Sequence, residues 1–209
     1  MAKEPTRRRA ETRARLIAAA TSAFADLGFG GATIEEICHR AGYTPGAYYS
    51  NFASKNELLH ALFADHSARL LDRLRTQLAE LDEADLTPEQ LAEFVVSADP
   101  DQRTWHLVST EFTLYAIRNP EAAAVMAEHD ARVRAEIVEV LGQAFDRMGR
   151  RPVVDLDEFT RLLIALREGG LMQSLIEPDE LPQGALERAY LPVLFTAVSR
   201  KTGRGAKRR

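Results

Sequence analysis

A single cysteine, Cys38, stands in the 209-residue chain. No disulfide can form within it, and the chain suits a reducing compartment. Its neighbour His39 leaves a helix in another direction, which argues against a metal site there. No apolar stretch approaches the ~20 residues of a membrane-spanning helix, and no secretory leader is visible, so a cytoplasmic protein is expected. Period-two alternation is missing, which argues against sheet. Strong positive charge is missing too: at −4 overall the chain is no indiscriminate coat for nucleic acid. The five histidines, at 39, 60, 66, 106 and 129, form no pair at the i, i+4 spacing of helical metal ligands. No nucleophile sits in an elbow or triad motif, and the GFGG run at 28–31 joins helices where a dinucleotide loop would follow a strand. No catalytic residue, cofactor or metal is expected. An all-helical enzyme, or a protein-interaction module without specific DNA binding, stays open as the alternative.

What is present is helix. Leu16, Ala20, Ala23, Phe24 and Leu27 recur at helical spacing, and Gly28 ends the run. Thr33 with Glu36 and Ser54 with Glu57 form capping boxes, Gly42 closes the helix after Thr33, and Thr44 caps a helix with Pro45 in its first turn. The helix after Ser54 carries Leu58, Leu59, Leu62, Phe63, His66, Leu70, Leu71 and Leu74, and runs to about residue 81. Beyond an acidic connector, Thr87-Pro88, Asn119-Pro120 and Asp155 with Glu158 mark further starts. Helices are expected at about 88–98, 101–118, 120–148, 155–177 and 183–200. The expected fold is all-α with about nine helices. It divides into a basic, mobile arm at 1–9, a three-helix head at 10–55, a larger helical domain at 56–200 and a basic, disordered tail at 201–209.

Charge is unevenly spread. Residues 1–55 hold eight basic and five acidic side chains and the remainder nineteen and twenty-six, or about +3 against −7. A basic head on an acidic body can draw a phosphate backbone to one end. The stretch TPGAYYSNFASKNELL at 44–59 then gains a setting. Its first helix is too short to be stable alone, yet with the helix at 34–41 and the turn at Gly42-Tyr43 it forms a helix-turn-helix whose second member can enter a DNA major groove.

Residues 12–63 resemble the DNA-binding domain of the TetR family of one-component regulators. The resemblance rests on Phe24 through Gly28 and Thr33 to Ile37, then Ala41-Gly42, Thr44, Gly46, Tyr49, Phe52, Lys55, Leu58 and Leu59. The family often has a histidine where Asn51 stands and an aliphatic or aromatic residue where Tyr48 stands. Tyr49 resembles the family's phosphate-contacting tyrosine. Thr33 and Lys55 sit at helix starts, where the dipole and free N–H groups suit a phosphate. Thr44, Gly46, Ala47 and Ser50 are the candidates for base edges, with Pro45, Tyr48 and Asn51 on the same short segment; Arg7, Arg8 and Arg9 could reach the minor groove or backbone.

The resemblance further implies a homodimer on a (pseudo)palindromic operator, acting as a repressor that a small molecule releases. The helices at 155–177 and 183–200 would pair in the dimer through Leu162, Leu166, Gly169, Gly170, Gln173, Leu186, Tyr190, Val193, Leu194 and Ala197. Paired glycines inside a helix cost stability, and close approach of another helix is a reason to keep them. Between head and pair, Trp105, Val108, Phe112 and Tyr115 recur at core spacing with His106 and Glu111 nearby, followed by Met126 and His129. These residues, with His66, are the candidate contacts for an apolar or aromatic inducer.

Overall fold

The computed structural model describes residues 7–80, 86–97 and 101–202. Residues 1–6 of the expected arm, the connector at 81–85 and residues 203–209 of the expected tail lie outside them. Among the described residues the order is α1 (Arg7–Gly31), α2 (Ile34–Ala41), α3 (Pro45–Tyr49), α4 (Lys55–Glu80), α5 (Pro88–Ser97), α6 (Gln102–Arg118), α7 (Pro120–Arg147), β1 (Arg150–Pro152), α8 (Leu156–Ile176), α9 (Ala185–Ala197) and β2 (Ser199–Lys201). None of these helices is long and apolar enough to cross a membrane.

The caps read from sequence are built as hydrogen bonds. Thr33 Oγ1 accepts from Glu36 N at 3.1 Å, and Asp155 Oδ1 from Glu158 N at 2.9 Å. Ser54 Oγ accepts from Glu57 N at 3.1 Å, while Glu57 Oε2 reaches one residue past the cap and accepts from Ala53 N at 2.6 Å. Thr87 and Gln90 close a further box at the start of α5. Gly42, at φ 71°, sends its N–H back to Cys38 and His39 carbonyls, a left-handed end that glycine adopts without steric cost.

Two compact units form, Met1–Ala68 with Asp101–Ala127, and Arg69–Pro100 with Glu128–Arg209. The first has one core, in which Leu16, Ala20 and Phe24 of α1, Ile37 and Cys38 of α2, Tyr48 and Phe52, and Leu58, Leu59 and Leu62 of α4 meet Val108 and Phe112 of α6. Each of these large side chains contributes about 1.5–3 kcal/mol by leaving water. The head expected at 10–55 therefore shares its core with a helix from far along the chain. Within α1 the backbone kinks at Gly28 (φ 71°, ψ 165°) before a final turn to Gly31.

Two expectations are corrected here. Arg7, Arg8 and Arg9, expected within a mobile arm, are the first turn of α1. Once a long helix is nucleated, each added residue needs only one more hydrogen bond, and Arg7 gains an ion pair with Glu11 at 3.1 Å. Strand is also present, as β1 and β2 pair antiparallel, Arg150 opposite Lys201 and Pro152 opposite Ser199. Three residues a side are too few to show an alternation in sequence.

The second unit packs Leu91 of α5, Leu141, Ala144 and Phe145 of α7, Phe159 of α8, and Leu191 and Phe195 of α9 around a separate core. α9 stops at Ala197, short of the expected 200, because Ser199 enters the ladder. Arg150 Nε donates to Ser199 Oγ at 2.7 Å and Thr202 N to Gly149 O at 2.8 Å. The start of the expected tail is thus tied down.

Candidate nucleic-acid interface

α3 is five residues long, so its shape depends on its ends. Thr44 Oγ1 accepts from Ala47 N at 3.3 Å, and Pro45 presets the first turn. At the exit, Ser50 Oγ and Asn51 Nδ2 both donate to Ala47 O at 2.8 Å. Thr44, Pro45, Gly46, Tyr49 and Ser50 are exposed and Ala47 half-buried, so these six share an outward face. Tyr49 is 58% exposed, edge-on to Tyr48 with ring centroids 5.4 Å apart.

Tyr48 and Asn51 do not belong to that face. Tyr48 is fully buried, and burial pushes its phenol up to about 12. Its ring packs on Phe52, centroids 5.9 Å apart, because the helical period turns position 48 inward when 49 points out. Asn51 is buried as well, its amide committed to the exit turn.

Lys55 heads α4 but turns inward. Its Nζ donates to Phe29 O at 2.6 Å and Ala32 O at 3.0 Å and lies 4.5 Å from the Phe29 ring centre. Burial lowers its ammonium below the ordinary lysine value. In the first turn of α4 the Glu57 amide is meanwhile met by Ser54 Oγ, and the Glu57 carboxylate places a negative charge there. Thr33 is exposed, though α2 carries Glu35 and Glu36 in its first turn. Arg40 offsets Glu36 at 2.7 Å and reaches Asp26 at 2.6 Å, tying α2 to α1.

Three cations of α1 also border α3 and the turn before it, Arg13 and Arg15 from outside the expected set and Arg9 from within it. Arg13 Nη1 donates to Asn51 O at 2.5 Å with its guanidinium 4.1 Å over the Phe52 ring, and Arg9 Nη2 reaches Ser50 O at 3.4 Å. Arg15 lies 5.3 Å from the Tyr43 ring centre. The signal was in the sequence: Arg9 and Arg13 prolong the Leu16–Ala20 stripe of α1 toward the N-terminus at helical spacing.

The residues expected to meet a small molecule divide. Val108 and Phe112 are buried in the first core because they lie on the face of α6 turned to α1 and α4. Trp105, Tyr115 and Met126 are partly buried against it. His66 is buried and stacks flat on Trp105, centroids 3.6 Å apart. His106 is half-buried, and burial lowers its imidazole below the ordinary value. Glu111 is exposed and lays its carboxylate over Gly28. His129 lies in the second unit.

In the second unit, Leu162, Tyr190 and Val193 are exposed, Val193 at 62%, and so are Met172 and Ile176, at 49% and 71%. Gly169 faces open space, Gln173 and Ala197 are exposed and Leu186 half-buried. Three expected members turn inward. Leu166 and Leu194 pack against the core. Gly170 is covered by Glu187 of α9, whose Oε2 would lie 3.3 Å from a Cβ there; Glu187 is itself buried.

A short outward helix, capped at its start and held against a three-helix core with basic α1 beside it, defines a helix-turn-helix DNA-binding regulator. Residues 16–62 match the model for bacterial regulatory proteins of the tetR family, and residues 90–194, half of the chain, match that for the C-terminal part of BetI-type transcriptional repressors. The chain belongs to the TetR family of transcriptional regulators. It is 26% identical over 174 residues to the HTH-type transcriptional regulator UidR of Escherichia coli K12, covering 83% of this chain and 86% of that one. The structure of Salmonella enterica GusR is 25% identical, with a TM-score of 0.70 over 94% of this chain and 97% of that one. FadR of Bacillus subtilis, solved in complex with stearoyl-CoA, shares the fold at 16% identity, TM-score 0.71, over 88% and 98% of the chains.

Proposed function

We propose that two copies of this chain pair through α8 and α9, occupy a (pseudo)palindromic operator as a cytoplasmic repressor, and leave it when a small molecule binds. In this reading residues 10–55, with Arg7–Arg9 just before them, carry the DNA contacts and 56–200 the pairing and ligand contacts. One observation carries it: Leu162, Met172 and Ile176 of α8 and Tyr190 and Val193 of α9 stand exposed, and Gly169 of α8 faces open space. Such an apolar stripe on two adjacent helices suits a self-complementary interface. Two recognition helices can then enter successive major grooves, about 34–36 Å apart. DNA contacts are assigned to Thr33, Thr44, Pro45, Gly46, Ala47, Tyr49, Ser50 and the helical Arg7–Arg9, with Tyr49 on a phosphate. The released state is selected by an apolar or aromatic molecule at the Trp105 and His66 plates, with His106 as a polar contact. A tenfold preference for the released form is worth only about 1.4 kcal/mol per site.

Sedimentation of the wild type and of Val193→Asp tests the assembly. A dimer is expected for the first and a monomer for the second, since pairing would bury an unpartnered charge. A wild type that is monomeric at micromolar concentration overturns the pairing.

A further inference from the structure

The exit of α3 is held from outside. A five-residue helix has little stability of its own, and its pitch is set by what grips it. On the inner side the grip is Tyr48, buried against Phe52. At the far end it is Arg13 of α1, which touches the exit turn twice, through a 2.5 Å hydrogen bond to Asn51 O and a face-on contact 4.1 Å above Phe52. Arg9 adds a longer donation to Ser50 O at 3.4 Å. A planar guanidinium can stack and donate in its plane at once, which a lysine ammonium cannot. The positive charge also sits where a short helix presents unpaired carbonyls.

We infer that Arg13 is a positioning residue for sequence readout: it fixes the angle of α3 through Asn51 O and Phe52 so that the outward face from Thr44 to Ser50 meets base edges in register. The inference rests on α3 being the DNA-reading helix. Base readout tolerates small errors in angle only, whereas contacts to phosphate adapt. Loss of Arg13 should therefore lower discrimination between duplexes more than it lowers binding to DNA in general.

The experiment uses the full chain and a duplex enriched from a random-sequence pool by the wild type, with a scrambled duplex as control. Affinities for both are measured across a salt series for wild type, Arg13→Gln and Arg13→Lys. For Arg13→Gln the ratio of selected to scrambled affinity should fall roughly tenfold, the scale of one charged hydrogen bond, while the slope of log affinity against log salt stays within about half a unit. Arg13→Lys, which keeps a charged donor, should recover part of the ratio. A slope lower by about one unit with the ratio preserved would make Arg13 a phosphate contact and overturn the proposal. So would a lowered melting temperature with ratio and slope both unchanged, or a lysine variant no better than the glutamine. If Arg13→Gln does not fold, Arg13→Lys carries the same test, with a smaller loss of ratio expected. A wild type that enriches no duplex sinks the DNA reading and this proposal together.

Discussion

Substituting Gly28 by alanine separates backbone strain from side-chain contact at the kink of α1. At φ 71° and ψ 165° the residue lies where L side chains are strained by about 1–3 kcal/mol. An added Cβ would also lie 3.0 Å from Glu111 Oε2 and 3.2 Å from its Cδ. Glu111 is exposed, so its carboxylate can swing away at small cost. Alanine lowers the entropy of the unfolded chain, a gain of about 0.4–1 kcal/mol. The net loss should be about 1–2 kcal/mol, or roughly 2–8 °C in melting temperature for a chain of this size. Reversible denaturant unfolding of wild type, Gly28→Ala, Glu111→Ala and the double variant would show it. The double variant should regain less than about 0.5 kcal/mol of the Gly28→Ala loss. Full recovery would place the cost in the carboxylate contact, and a wild-type midpoint for Gly28→Ala would refute the strain account altogether.

Lys55→Ala should lower stability by about 2 kcal/mol, since it strips two carbonyls of a charged donor. Because that ammonium is spent on Phe29 O and Ala32 O, the salt dependence of DNA binding should change by well under about one unit. A full unit lost without loss of stability would return Lys55 to the phosphate. His106 gives a pH test. Its folded value lies below the ordinary 6.5, so the unfolded chain takes up the proton first. Stability should fall as pH drops through about 6.5 toward the folded value. Asp130 and Glu168, both raised by desolvation, act with the opposite sign, so the quantity to measure is the difference between wild type and His106→Gln from pH 7.5 to 5. A difference that does not vary with pH would refute the assignment.

Helix placement was legible because its signals are local. Capping boxes at Thr33, Ser54 and Asp155 and the left-handed Gly42 need only neighbours within a few positions, and the structure builds them. Which side of a helix carries a given polar residue was less so. Lys55 and Asn51 look outward by chemistry, yet Lys55 has Phe29 to sit on and Asn51 the Ala47 carbonyl to donate to, partners that only the folded chain supplies. The same holds at Gly169 and Gly170, adjacent and alike in sequence. One faces open space and the other makes room for Glu187. Pairing of β1 with β2 joins segments nearly fifty positions apart, beyond any local pattern.

The first unit takes in residues 1–68 and then 101–127, and that ordering bears on how the protein is made. Ribosomes deliver the helix-turn-helix first, but Val108 and Phe112, which complete its core, are delivered after some forty further residues. Until then the apolar sides of Phe29 and Phe63 that Phe112 of α6 covers are bare. A nascent chain halted before α6 would hold every DNA-facing residue and still lack its floor. Finished readout is expected only once α6 has left the exit tunnel, so a half-made regulator would not compete with complete ones for DNA.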